Sequence, residues 1–134
     1  MPKKTRRRRR RKGGRYHRGL HVSPTAGECK FRSSWEQKYM IHLDACSDVA
    51  SWTYEKLVIE YVSNQKTKKI RKYYPDFYVE YVDGTRQVIE IKQKRKLFQA
   101  TVKKKTKAAE QWCAINGATY KILTEIELKD MGLL

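Results

Sequence analysis

Apolar residues recur at helical spacing from Trp35 through Tyr39 and Leu43 to Cys46, and the pattern turns to alternation after position 51. The first stretch predicts a helix with one stripe facing a core. It opens at Ser33-Ser34-Trp35-Glu36, where Ser33 and Glu36 have the Ser-x-x-Glu spacing of a capping box. The alternating stretch predicts a first strand over 54–62, with Leu57, Ile59 and Tyr61 on one face. Ser63-Asn64-Gln65 begins a turn, a long second strand covers 69–82, and Asp83-Gly84 hands the chain to a third strand over 87–92. Val102, Ala109, Trp112 and Cys113 mark a second helix that stops at Asn116-Gly117. A short strand over 119–123 follows, and Thr124 with Glu127 repeats the capping-box spacing at the head of a short terminal helix. The predicted order is helix, three antiparallel strands, helix, strand, short helix. This is an α/β chain without internal repeats, ordered from about Phe31.

Charge divides the chain in two. Its 134 residues have room for one domain. Lys and Arg outnumber Asp and Glu by 31 to 14, a net charge of +17 that points to a polyanionic partner. Residues 1–27 hold eleven of those cations and no acid, with an unbroken run of Arg6, Arg7, Arg8, Arg9, Arg10, Arg11 and Lys12; the remainder carries +6. Poor in large apolar side chains and rich in glycine, this stretch cannot offset its own ordering entropy. Residues 1–28 are therefore expected to be a disordered basic arm, and 29–134 the folded domain. Such an arm adds DNA affinity through phosphate contacts and counterion release, or else serves solubility or localisation. No apolar stretch is long enough to cross a bilayer and no secretory segment follows the basic start, so a soluble cytoplasmic protein is expected. Cys29, Cys46 and Cys113 are odd in number and widely spaced, as small core residues in a reducing compartment are. His17, His21 and Cys29 lack the Cys-x-x-Cys partner of a zinc site.

The candidate chemistry lies at Asp76, Glu90 and Lys92. On the third strand Glu90 and Lys92 share a face with Val88, while Ile89 and Ile91 point the other way into a core. Across the hairpin Asp76 would meet them. Two carboxylates and an ammonium in one place can hold a divalent cation and set a positive charge beside a water or phosphate. An ordinary half-solvated edge strand shows the same alternation, so the spacing alone leaves that alternative open. Glu36 is either a helix-cap acid or a third carboxylate aimed at the same site. DNA contacts are expected from the arm, from Lys66, Lys68, Lys69, Arg71 and Lys72 around the first turn, and from Lys94, Lys103, Lys104, Lys105 and Lys107 on and before the second helix. Tyr73, Tyr74 and Tyr78 are either base-stacking side chains or plain sheet residues.

Phe31-Arg32-Ser33-Ser34-Trp35-Glu36, the Tyr-Tyr-Pro-Asp-Phe of 73–77 and Ile89-Glu90-Ile91-Lys92, in that order of elements, resemble the PD-(D/E)xK nuclease superfamily. Within it they look most like phage head-completion nucleases, phage endonuclease I junction resolvases and TnsA-type N-terminal endonuclease domains. The resemblance covers about 29–123 and implies a restriction-endonuclease-like core. It implies metal ligands at Asp76 and Glu90 with the main-chain carbonyl of Ile91, a further acidic ligand at Glu36, and a catalytic lysine at Lys92. The cofactor implied is Mg²⁺, with Mn²⁺ as a substitute. The substrate implied is duplex or branched DNA; the partners implied are a second copy of the chain or a phage or transposition protein; the location implied is the host cytoplasm or a virion. The competing class is a non-catalytic basic nucleic-acid-binding structural protein on the same fold, which explains the charge but not three acids converging among cations. The apolar end Met131-Gly132-Leu133-Leu134 docks either on the domain or on a partner.

Overall fold

The computed structural model describes residues 18–134, and the arginine run Arg6–Lys12 lies outside the described residues. The described chain opens with an antiparallel hairpin, β1 (Gly19–Ser23) and β2 (Gly27–Phe31). Order therefore begins well before Phe31, and residues 19–28 belong to the fold rather than to an arm. The hydrophobic pattern hid this because β1 is inverted: Leu20 and Val22 are exposed, whereas His21 and Ser23 face inward. An acid explains the inversion. Asp44, on helix α1 (Ser34–Ala45), accepts hydrogen bonds from Ser23 Oγ at 2.6 Å and Trp52 Nε1 at 3.0 Å, and its other oxygen lies 2.7 Å from His21 Nε2. Gly19 is required where it stands, since a Cβ there would lie 2.5 Å from the Phe31 ring.

Two predicted strands each divide. The first, over 54–62, takes in only Tyr54 of β3 (Val49–Tyr54), a strand the alternation did not mark, and then β4 (Ile59–Asn64); between them Glu55 takes a left-handed backbone at φ 55° and turns the chain. The second becomes β5 (Lys69–Tyr73) and β6 (Phe77–Tyr81), interrupted at Pro75, which has no N–H to give a ladder. β4 and β5 leave the main sheet as a separate two-stranded ribbon. The main sheet runs β3-β6-β7-β8, with β7 (Arg86–Ile91) antiparallel to β6 and parallel to β8 (Thr119–Leu123). Helix α2 (Ala100–Asn116) ends as expected, with Gly117 left-handed at φ 70°. The short α3 (Glu125–Asp130) carries the predicted capping box of Thr124 and Glu127.

One core lies between α1, the first hairpin and the sheet, centred on Phe77, whose ring meets Tyr39, Tyr54 and Trp52 at 5.1, 5.4 and 5.8 Å. A second packs Ile59 and Tyr73 of the ribbon against Ala109 and Trp112 of α2, with Leu57 and Tyr61 beside them as the alternation predicts. The sheet is thus covered on both sides, so Val88 and Ile89 are both buried. Cys29 and Cys113 are buried and Cys46 half-buried, all as thiols. Of the apolar end, Leu133 packs on the main core, whereas Met131 and Leu134 are exposed. Among the described residues no helix is long and apolar enough to cross a membrane.

Candidate active site

The interruption that divides the second strand also builds the site. Pro75 is fully buried, and Asp76, freed from the ladder, turns its Oδ2 to the main-chain N–H of Ile91 at 2.8 Å. Its own carbonyl accepts the N–H of Glu55 at 2.9 Å, so the end of β3 is tied to it as well. Glu90 stands on the Val88 face of β7, as the alternation requires. That face is not solvated: Asp76 and Glu90 are only 7% and 8% exposed, so the expected polar surface is in fact an interior floor. Lys92 Nζ lies 3.2 Å from Glu90 Oε2, and the Tyr73 hydroxyl donates to Glu90 Oε1 at 2.6 Å. Burial raises the pKa of Asp76 well above the usual carboxylate range; the neighbouring Glu90 and Glu36 raise it further, against the Ile91 amide and Lys92.

Glu36 faces the same cleft. Ser33 Oγ caps α1 by accepting the Glu36 N–H at 3.2 Å, but the Glu36 carboxylate reaches past the box to the Arg32 N–H at 2.7 Å and the Tyr54 hydroxyl at 2.8 Å, both through Oε1. It serves the helix start and borders the site at once. Sequence reasoning missed Glu55, which the left-handed backbone swings to the cleft rim beside Arg32 at 3.1 Å; burial, with Glu36 and Glu90 nearby, raises its pKa. No spacing signal marks a residue delivered by a positive φ.

Above this floor opens a cleft of ≈ 580 Å³ whose cations are Arg32, Lys72, Lys92 and Lys105. Of the basic residues expected to meet DNA, Lys72 and Lys105 line it. Lys66, Lys68, Lys69 and Arg71 are exposed on the ribbon nearby, and Lys103 and Lys107 are exposed on α2. Lys104 is committed elsewhere, donating from Nζ to the Ser63 carbonyl at 2.6 Å and so tying α2 to the ribbon. Lys94 is exposed in a short 3₁₀ turn, its N–H held by Glu125 at 2.8 Å. Tyr74 is half-exposed at the cleft, whereas Tyr73 is buried and Tyr78 packs edge-on against Trp112, so neither of the latter two is a stacking surface.

Residues 46–125 match the family of TnsA-like endonuclease N-terminal domains. The chain belongs to this TnsA-like endonuclease family. It is also 30% identical over 137 residues to the head completion nuclease of Enterobacteria phage T4, across 84% of this chain and 91% of that protein. The relationship to phage and TnsA-type nucleases read from the motifs therefore holds. Asp76, Glu90 and Lys92 fall inside the family match, whereas Glu36 precedes it.

The motif resemblance implies a metal, and the chemistry of the residues present is compatible with one kind of ion. Among the described residues no three His, Cys, Asp or Glu side chains come close enough to form a protein cage. Magnesium does not require one, since it binds through one or two carboxylates and keeps several waters. Asp76 and Glu90, buried together with their charge only partly offset by Lys92, supply such a pair.

Proposed function

We propose that the protein is a magnesium-dependent DNA endonuclease that hydrolyses phosphodiester bonds during phage-type DNA processing, whether packaging and head completion or the resolution of branched DNA. The observation that carries this reading is the buried Asp76–Glu90 pair with Lys92 at 3.2 Å, inside an endonuclease-family match. Asp76, Glu90 and the main-chain carbonyl of Ile91 would hold Mg²⁺, or Mn²⁺ in its place, with Glu36 extending the acidic wall. A divalent cation supplies Lewis acidity and an acidified water there.

The chain's own groups do the rest. Lys72, Lys105 and Arg32 grip the phosphates that enter the cleft. Lys92 sets its ammonium where negative charge grows on the phosphate being cut. The buried floor excludes bulk water and strengthens each of these interactions. Outside the cleft, the exposed ribbon cations and the arginine arm hold the duplex without reading its sequence.

Incubating supercoiled plasmid with the protein, with and without Mg²⁺, tests the reading, and a four-way junction beside linear duplex of equal length separates branch resolution from general cutting. Metal-dependent nicking is the expected result. DNA binding with no cleavage under Mg²⁺ or Mn²⁺ would overturn it and leave a basic binding protein on a nuclease fold.

A further inference from the structure

The groups behind Glu90 stand in series. Tyr73 closes β5 with its ring buried against α2, and its hydroxyl donates to Glu90 Oε1 at 2.6 Å. That donation uses the only proton the phenol has. The Tyr120 hydroxyl, 2.8 Å from that of Tyr73, must therefore be the donor of the pair. Tyr120 lies on β8, the strand beside β7. The pair of hydroxyls thus runs from β8 through β5 to β7, and it ends on one oxygen of the carboxylate. Lys92 takes the other. Lys105 Nζ sits 5.5 Å from the centroid of the Tyr73 ring, so the ring also forms part of the cleft wall where phosphates would arrive.

We propose that Tyr73, backed by Tyr120, is a positioning residue that fixes the orientation of the Glu90 carboxylate for cation binding and for Lys92. This rests on the nuclease reading of the same site. A buried carboxylate with one oxygen free would turn toward whichever donor it could find, and Lys92 is the nearest. The tyrosine removes that freedom, leaving Lys92 a single oxygen to meet. Partners of this kind behind a metal ligand set its geometry as much as the ligand itself does. They are worth most where water is excluded, as it is here.

The test compares Tyr73→Phe, Tyr120→Phe and the double variant in the full-length protein. It uses steady-state cleavage of duplex DNA, calorimetric titration with Mn²⁺ in the absence of DNA, and circular dichroism for the fold. For Y73F we expect kcat and Mn²⁺ affinity each to fall roughly 10–100-fold, with KM for DNA unchanged. Y120F should lose less, and the double variant no more than Y73F alone, because groups in series do not add. Unchanged kcat and Mn²⁺ affinity in Y73F, or losses that add as independent effects, would overturn the proposal. If Y73F fails to fold, Y120F decides: a fall in both readouts supports the relay and no fall overturns it. A wild type that binds Mn²⁺ in a Tyr73-dependent way but cuts no DNA removes the nuclease reading and leaves the relay. A wild type that cuts DNA beside an unaffected Y73F does the reverse, and one that neither binds Mn²⁺ nor cuts overturns both.

Discussion

At Asp76 the proposed chemistry and stability oppose each other in a single residue. Its carboxylate is buried beside Glu90 and held by the Ile91 amide, a bond that an asparagine oxygen can also accept. Asp76→Asn should therefore abolish cleavage while raising the stability of the metal-free protein by about 1–3 kcal/mol, the scale of an uncompensated buried polar group. The sign with pH follows from the raised folded pKa. The stabilising effect of its proton is fully present below the unfolded value and is lost as pH rises through the folded one. In thermal melts with chelator, the advantage of D76N should be largest at neutral pH and shrink as pH falls toward 4. Lys92→Ala should likewise end cleavage without unfolding the chain, since its ammonium is partly exposed; wild-type turnover in either variant would remove the pair from the chemistry. Glu36→Gln keeps an oxygen for the Arg32 and Tyr54 donors, so we expect its melting temperature to hold while kcat falls roughly 10–100-fold, as for other groups that shape a metal site. The three strand and turn residues of the candidate site were legible as a cluster because Pro-Asp and Glu-x-Lys are local patterns. Tyr73 and Tyr120 were not, because their bond spans 47 positions and no periodicity encodes it.

At the scale of elements, α1, α2, β8 and α3 were readable from apolar spacing and caps, whereas the two hairpins were not. β1 buries polar side chains and exposes apolar ones, the reverse of the signal a strand normally gives, and its partner in the fold is a helix acid rather than a hydrophobic face. Asp44→Ala should thus loosen the β1–β2 hairpin and cost about 1–3 kcal/mol, because Ser23 and Trp52 lose their acceptor. Although burial opposes it, hydrogen bonds from Ser23, His21 and Trp52 lower the Asp44 pKa. Its contribution is accordingly present above the unfolded value of 3.8 and lost as pH falls through the lower folded one, so melts of wild type and D44A should converge only in strong acid. The β4–β5 ribbon was read as parts of two longer strands, since neither the left-handed Glu55 nor the break at Pro75 disturbs the alternation around it. Its exposed cations make a separable prediction. Replacing Lys66, Lys68, Lys69 and Arg71 with alanine should weaken DNA binding evenly across sequences and flatten its salt dependence by about 0.9 per lost phosphate contact, leaving kcat at saturating DNA intact.

For the whole molecule, the boundary between arm and fold decides where it can be cut. Removing residues 1–27 would take β1 with it and expose the main core, but removing 1–17 leaves every described element in place. The shorter deletion discards ten cations of the 31, so affinity for DNA should fall and its salt slope flatten while turnover at saturating DNA survives. An unchanged slope in a fluorescence titration would assign the arginines to solubility, localisation or a protein partner. The buried acid pair carries a consequence for the history of such chains. Asp76 and Glu90 are held together against their mutual repulsion, and one replacement relieves it without disturbing the hydrogen bond to Ile91. If they serve cleavage as proposed, selection for cutting must act continually to keep them. In a lineage that retained this fold only to hold DNA, drift would favour an amide at position 76 before any change in the surrounding core, and the basic surface would outlast the scissors.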